Sequence, residues 1–167
     1  MEILIADIGD IEELARVEVE SKVRSFKHND DYAIDYDSRV KRWQTYFNGQ
    51  SPANSKPERI VLKAVEDGQI IGYIAAHLTN RYDRDAEIQS FYILKDRQRK
   101  GVGSKLLLKL QDWLTAQNAG SLCVGISPEN PYKAFYLKYG GGYINPHWIC
   151  WDDLGKLETK LKIVDSK

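Results

Sequence analysis

The stretch Tyr92-Ile93-Leu94-Lys95-Asp96-Arg97-Gln98-Arg99-Lys100-Gly101-Val102-Gly103-Ser104 decides how this chain is read. An apolar, strand-like run ends, a basic turn with two glycines follows, and a strongly apolar helix begins at once. The glycines allow backbone angles that other residues avoid and a close approach to a ligand. The first N–H groups of the helix lack intrahelical partners, and the helix dipole adds partial positive charge. Arg97, Arg99 and Lys100 add full charges. A lone Gly-x-Gly is a weak signal. Here strand, turn, helix and basic flank agree on a receptor for a pyrophosphate.

Working outward, Glu87–Leu94 reads as the strand entering that turn. Val102, Leu106, Leu107, Leu110, Trp113 and Leu114 form the apolar stripe of the helix leaving it, which stops near Asn118-Ala119-Gly120. Upstream, 59–65 and 69–77 read as two strands joined at Asp67-Gly68, a hairpin signal. Before them stand a short strand over 2–6, a helix capped by Asp10, a polar stretch over 28–37, and a second helix carrying Val40, Trp43, Tyr46 and Phe47. A loop over 48–57 ends that helix. Downstream, Leu122–Ile126 is a short buried strand. Glu129 or Asn130 caps another helix, with Pro131 in its first turn, and Gly140-Gly141-Gly142 ends it. A last strand over 143–151 is interrupted at Asn145-Pro146. The order β-α-α-β-β-β-α-β-α-β is mixed α/β, with no repeat or linker, and predicts a single domain over residues 1–167.

Composition narrows the function. The 167 residues carry 24 basic and 24 acidic side chains, a balance that argues against nucleic acid as partner. No apolar run approaches the ~20 residues of a membrane span, and the N-terminus lacks the pattern of a signal peptide. Cys123 and Cys150 read as reduced core thiols of a cytoplasmic protein. His28, His77 and His147 are scattered without metal-ligand spacing, so no metal is expected. The oligomeric state is open, with a homodimer among the options.

Element order and turn together resemble the GCN5-related N-acetyltransferase (GNAT) family. Its Gln/Arg-x-x-Gly-x-Gly/Ala signature is matched by Gln98, Gly101 and Gly103. Its Asn, aromatic-Tyr pair and closing Gly are matched within Asn130-Pro131-Tyr132-Lys133-Ala134-Phe135-Tyr136-Leu137-Lys138-Tyr139-Gly140. The likeness is most specific over 86–143. Two departures stand out. Asn130 lies six residues before Tyr136 where many members have seven, and the final strand region is short for a full hairpin.

The resemblance implies a mixed, mostly antiparallel sheet whose fourth and fifth strands splay apart around the pantetheine arm of acetyl-CoA. It implies transfer of acetyl to a primary amine, on a small molecule or on a protein or peptide. Backbone N–H groups from Arg99, Lys100, Gly101, Val102, Gly103 and Ser104 would hold the pyrophosphate. Gln98 and Asn130 would join the cofactor site, and Phe91, Tyr92 and Ile93 would line the arm, with the thioester carbonyl held by a backbone N–H near Ile93. Tyr136 would protonate the leaving thiolate. Glu87, eleven residues before Gln98, would be the general base, a spacing found in some histone-acetylating members. The need for a base is clear, because deprotonating an amine of pKa ~10.4 at neutral pH costs on the order of 4–5 kcal/mol.

On the acceptor side, Asp30, Asp31, Asp35 and Asp37 with Tyr32 and Tyr36 would suit a cationic amine. His77, Asn80 and Tyr82 are further candidates there. Two rival readings remain at this level. One is a non-catalytic acyl-CoA-binding sensor. The other is a Rossmann module, disfavoured because the turn follows several antiparallel strands.

Overall fold

The computed structural model describes residues 1–25 and 35–165. Twelve principal elements follow in order: β1 (Glu2–Ile5), α1 (Ile11–Ser25), α2 (Tyr36–Phe47), β2 (Ser55–Glu66), β3 (Gln69–Thr79), β4 (Ala86–Ile93), α3 (Val102–Ala116), β5 (Leu122–Gly125), α4 (Lys133–Lys138), β6 (Gly142–Asn145), β7 (Trp148–Trp151) and α5 (Leu154–Asp165). They build a seven-stranded sheet in the order β1-β2-β3-β4-β5-β7-β6. All neighbours are antiparallel except β4 and β5, which run parallel.

Alternation along the strands sends side chains to two cores. Leu62, Ile74, Ala76, Ala86, Ile88, Leu122 and Val124 meet the apolar stripe of α3 and the Leu154, Leu157 and Leu161 side chains of α5. Val61, Tyr73 and Ala75 point the other way, against Leu14, Ala15 and Val17 of α1 and Trp43 and Tyr46 of α2. The two periods, 3.6 on the helices and 2 on the strands, therefore make a three-layer molecule.

Several expectations are corrected. Asp10 closes a 3-10 turn, Ile8–Asp10, that leads into α1, and the capping bond is accepted by Asp7 at the start of that turn, from Gly9 N at 2.8 Å. Asp10 reaches back to Asp7 N at 2.9 Å as the other half of a capping box. The final strand divides into β6 and β7, a complete if short hairpin around Pro146. The chain then continues as α5, for which the sequence reading made no provision. Its signal was present: Asp153 accepts from Gly155 N at 2.8 Å, and Leu154, Leu157 and Leu161 recur at helical spacing.

Candidate active site

β4 and β5 pair only over Ala86–Ile88 and Leu122–Val124. Beyond Ile88 a bulge at Gln89 shifts the β3–β4 register, and Gln89–Ile93 continue with no partner on their β5 side. The sheet thus opens into a V. The glycine turn lies at its wide end, and Glu87, opposite Cys123, lies at its apex.

At the wide end Gly101 takes φ +80° as the residue before α3, and a side chain there would meet nothing within 4 Å. Its role is conformational. The first α3 bond runs from Lys105 N to the Gly101 carbonyl at 3.1 Å, so the N–H groups of Val102, Gly103 and Ser104 have no intrahelical acceptor. Arg99 and Lys100 are exposed beside them. Arg97 is not part of this positive set, because it pairs with Glu66 at 3.0 Å and Asp96 at 3.3 Å. Gly103 serves close packing: a Cβ would lie 3.1 Å from Ile93 Cδ1 and 3.2 Å from Phe135 Cε2. Gln98 turns inward, its Nε2 donating to the Ile93 carbonyl at 3.0 Å, and ties the turn to the end of β4. Three unpaired donors, two free cations and open space fit a pyrophosphate.

Phe91 and Ile93 face the α3 side of the V and pack against its core. Tyr92 departs from the expectation, since its ring faces the α1–α2 layer, 5.8 Å from the Tyr73 ring and under Lys22. The alternation of a strand allows only Phe91 and Ile93 on one face. Phe135 and Tyr136 of α4 close the same wall, with ring centroids 5.5 and 6.4 Å from Phe91. Burial pushes the Tyr136 phenol well above its ordinary range, and its hydroxyl makes no hydrogen bond with a described residue. Asn130 Oδ1 accepts from Tyr132 N at 2.8 Å and shapes the turn into α4. It does not cap a helix directly, because α4 starts only at Lys133.

At the apex Glu87 is 6% exposed. His77 stands directly across from it on β3. Arg81 Nε donates to Glu87 Oε2 at 2.8 Å, and His77 Nε2 lies 3.5 Å from the same oxygen, an ion-pair distance outside hydrogen-bond geometry. His77 Nδ1 is 3.2 Å from the Tyr46 hydroxyl. Burial works to raise the Glu87 carboxyl, but His77 and Arg81 together outweigh it and hold the group below its ordinary value. Arg81 also lies 5.1 Å from the centre of the Trp148 ring, which packs on Tyr82. Neither Arg81 nor Trp148 was singled out in the sequence. The β3–β4 turn folds Arg81 back over six residues onto Glu87, and the β7 pairing brings in Trp148 from far along the chain.

Cys123 and Cys150 are free, buried and opposite one another on β5 and β7, and burial pushes the Cys123 thiol up to about 12. Asp30, Asp31 and Tyr32 lie outside the described residues. Asp35 caps α2, accepting from Asp37 N at 3.1 Å and Ser38 Oγ at 2.7 Å. Among the described residues no helix is long and apolar enough to cross a membrane, and no group of three His, Cys, Asp or Glu side chains could hold a metal ion.

The comparisons with known proteins agree with this geometry. The N-acetyltransferase YuaI of Bacillus subtilis, itself uncharacterized, is 25% identical over 171 residues, spanning 93% of this chain and 95% of that protein. The PaiA N-acetyltransferase of Thermoplasma acidophilum, solved in complex with coenzyme A, superposes with a TM-score of 0.70 at 22% identity, covering 90% of this chain and 98% of that one. An aminoglycoside 6'-acetyltransferase type Ii gives a TM-score of 0.66 at 18% identity, covering 90% and 96%. At those identities the two structures show the fold. Residues 19–141 match the Acetyltransferase (GNAT) family, and on that match, over a parted β4–β5 pair with a glycine turn at its mouth, the chain belongs to the GNAT acetyltransferases.

Proposed function

We propose that this protein is a cytoplasmic, acetyl-CoA-dependent N-acetyltransferase of one catalytic domain, acting on the primary amine of a small molecule or of a protein or peptide. The observation that carries the reading is the V itself, with phosphate donors at its wide end and an ionised carboxylate and a buried tyrosine toward its apex. The coenzyme A bound by the PaiA relative is in line with it.

The N–H groups of Val102, Gly103 and Ser104, with Arg99 and Lys100, hold the pyrophosphate. The free edge of Gln89–Ile93 takes the pantetheine as an added strand, against Phe91, Ile93 and Phe135. Bound there, acetyl-CoA supplies an activated acetyl group in its thioester. Glu87, ionised at neutral pH, accepts the proton that the attacking amine must lose. Tyr136 donates a hydrogen bond to the sulfur as charge develops on it. Its raised pKa keeps the proton in place, and burial of the thiolate narrows the gap for transfer.

The test is thiol release from acetyl-CoA against a panel of amines, run beside calorimetric binding of CoA. Amine-dependent release is expected. Tight CoA binding with no release for any amine would mean an acyl-CoA sensor.

A further inference from the structure

The acceptor half of the site carries a charge pattern that acetyl transfer alone does not require. Both neighbours of Glu87 use the same oxygen, Oε2. Its Oε1 has no hydrogen-bond partner among the described residues and is not one of the enclosed, unpartnered atoms of the interior. Arg81 is held on two sides, by Glu87 at Nε and by the Trp148 ring on its face. Its Nη1 and Nη2 make no hydrogen bond with a described residue, and its side chain is 27% exposed. Among the described residues, a guanidinium fork therefore stands without a hydrogen-bond acceptor beside a carboxylate oxygen without a donor.

The backbone is built to present that fork. Tyr82 and Asp83 adopt φ +52° and +54°, left-handed angles that side chains avoid. Arg84 Nη1 grips the Tyr82 carbonyl at 2.6 Å, and Arg81 N is tied to Thr79 Oγ1 at 3.2 Å. Trp148 reaches over Gly125, where a Cβ would lie 3.3 Å from the indole. The Tyr82–Asp83 pair is the centre of a tight turn closed by Arg84 N on the Arg81 carbonyl at 3.1 Å, with the two left-handed residues that a hairpin turn between twisted strands uses, and it sets the Arg81 side chain at the end of β3 beside Glu87.

We infer that the acceptor is an amine bearing a carboxylate close to its nitrogen, the amine meeting Glu87 Oε1 and the carboxylate meeting the Nη1–Nη2 fork of Arg81. The inference rests on the amine-acetylating reading of the same site. A planar fork with two parallel N–H donors matches the two oxygens of a carboxylate. Among the described residues a polycation meets little uncompensated negative charge here, because Arg81 offsets Glu87 and Arg84 offsets Asp152 at 2.7 Å. α-Amino acids, and peptides with an acidic group beside the reacting amine, have the required pattern.

Binding tests the subsite without turnover. With CoA present, N-acetylglycine, N-acetylglutamine and N-acetylphenylalanine are compared with their amides by ligand-observed NMR. The best acid should bind at least tenfold tighter than its amide. The gap should close to within about twofold in Arg81→Gln and persist in part in Arg81→Lys, which keeps the charge without the fork. A retained CoA affinity and a single cooperative melting transition establish that the variants are folded, the Arg81→Gln transition falling lower because buried Glu87 loses its closest partner. Equal binding of acids and amides, no binding by any of them, or a gap that survives Arg81→Gln overturns the inference. In parallel, acetyl-CoA turnover is measured with the free amino acids, their amides and spermidine. Preference for spermidine or the amides also overturns it, while the transferase reading stands. Acid-selective binding with no turnover of any amine overturns the transferase reading and leaves the carboxylate subsite in place.

Discussion

At the scale of single residues, the two groups proposed to carry the proton chemistry are treated differently by their surroundings. Burial, reinforced by the nearby Tyr92, raises Tyr136, whereas Glu87 is buried but held down by His77 and Arg81. Tyr136→Phe keeps the ring packing against Phe135 and Trp151 and removes the donor. Its kcat should fall by roughly ten- to a thousandfold with the acetyl-CoA KM little changed, and a wild-type kcat would assign the tyrosine to packing alone. For Glu87 the sign matters. A carboxyl lowered from 4.5 is ionised throughout the neutral range, so its own titration sets no limb there, and the rise of the rate with pH toward ~10 belongs to the ionisation of the amine. Glu87→Gln should therefore lower the rate most at neutral pH and least near pH 10, where the amine deprotonates unaided. The same lowered pKa contributes stability that is present above about pH 4.5 and lost as pH falls through the folded value. Thermal melts from pH 7 to 3 should show a shallower acid decline in the variant than in wild type.

At the scale of elements, the turn into α3 assigns its two glycines different work. Gly101 needs the left-handed region, while Gly103 needs the absence of a side chain between Ile93 and Phe135. Gly101→Val should weaken CoA at least tenfold, about 1.4 kcal/mol, because the strained turn misdirects the N–H groups of α3. Gly103→Val should in addition lower the melting temperature, since β-branched bulk forces α4 away from β4. Calorimetry and melting curves on both variants measure the two effects, the strain at Gly101 also lowering stability, and a Gly103→Val protein that melts as wild type would refute the packing role of Gly103. This turn was legible because its strand, glycines and helix are contiguous. The α5 helix was equally legible in Leu154, Leu157 and Leu161, yet it lies beyond the last strand and outside the matched motifs. The side-chain direction of Tyr92 was not legible, because the bulge at Gln89 sets it.

At the scale of the whole molecule, the wide cleft between β4 and β5 leaves strand edge and helix N-terminus without partners, and a ligand that supplies them stabilises the fold by mass action. CoA at a hundred times its Kd should contribute about 2.7 kcal/mol, a rise in melting temperature of roughly 5–11 °C for a chain of this size. Gly101→Val should lose most of that rise at the same CoA concentration, and a wild-type protein that melts unchanged with CoA would contradict the cleft's assignment. The sequence by itself determined the mixed α/β order, the amphipathic faces that make the two cores, the glycine turn and the tyrosine of α4. Each is written in residues close along the chain, through the periods 2 and 3.6 and the conformational freedom of glycine. That His77, Arg81, Glu87 and Trp148 come together was settled in the tertiary structure alone. They come from β3, the β3–β4 turn, β4 and β7, and their meeting depends on strand register and a bulge. Register is fixed by which faces are buried together, a condition that exists only once the sheet has assembled.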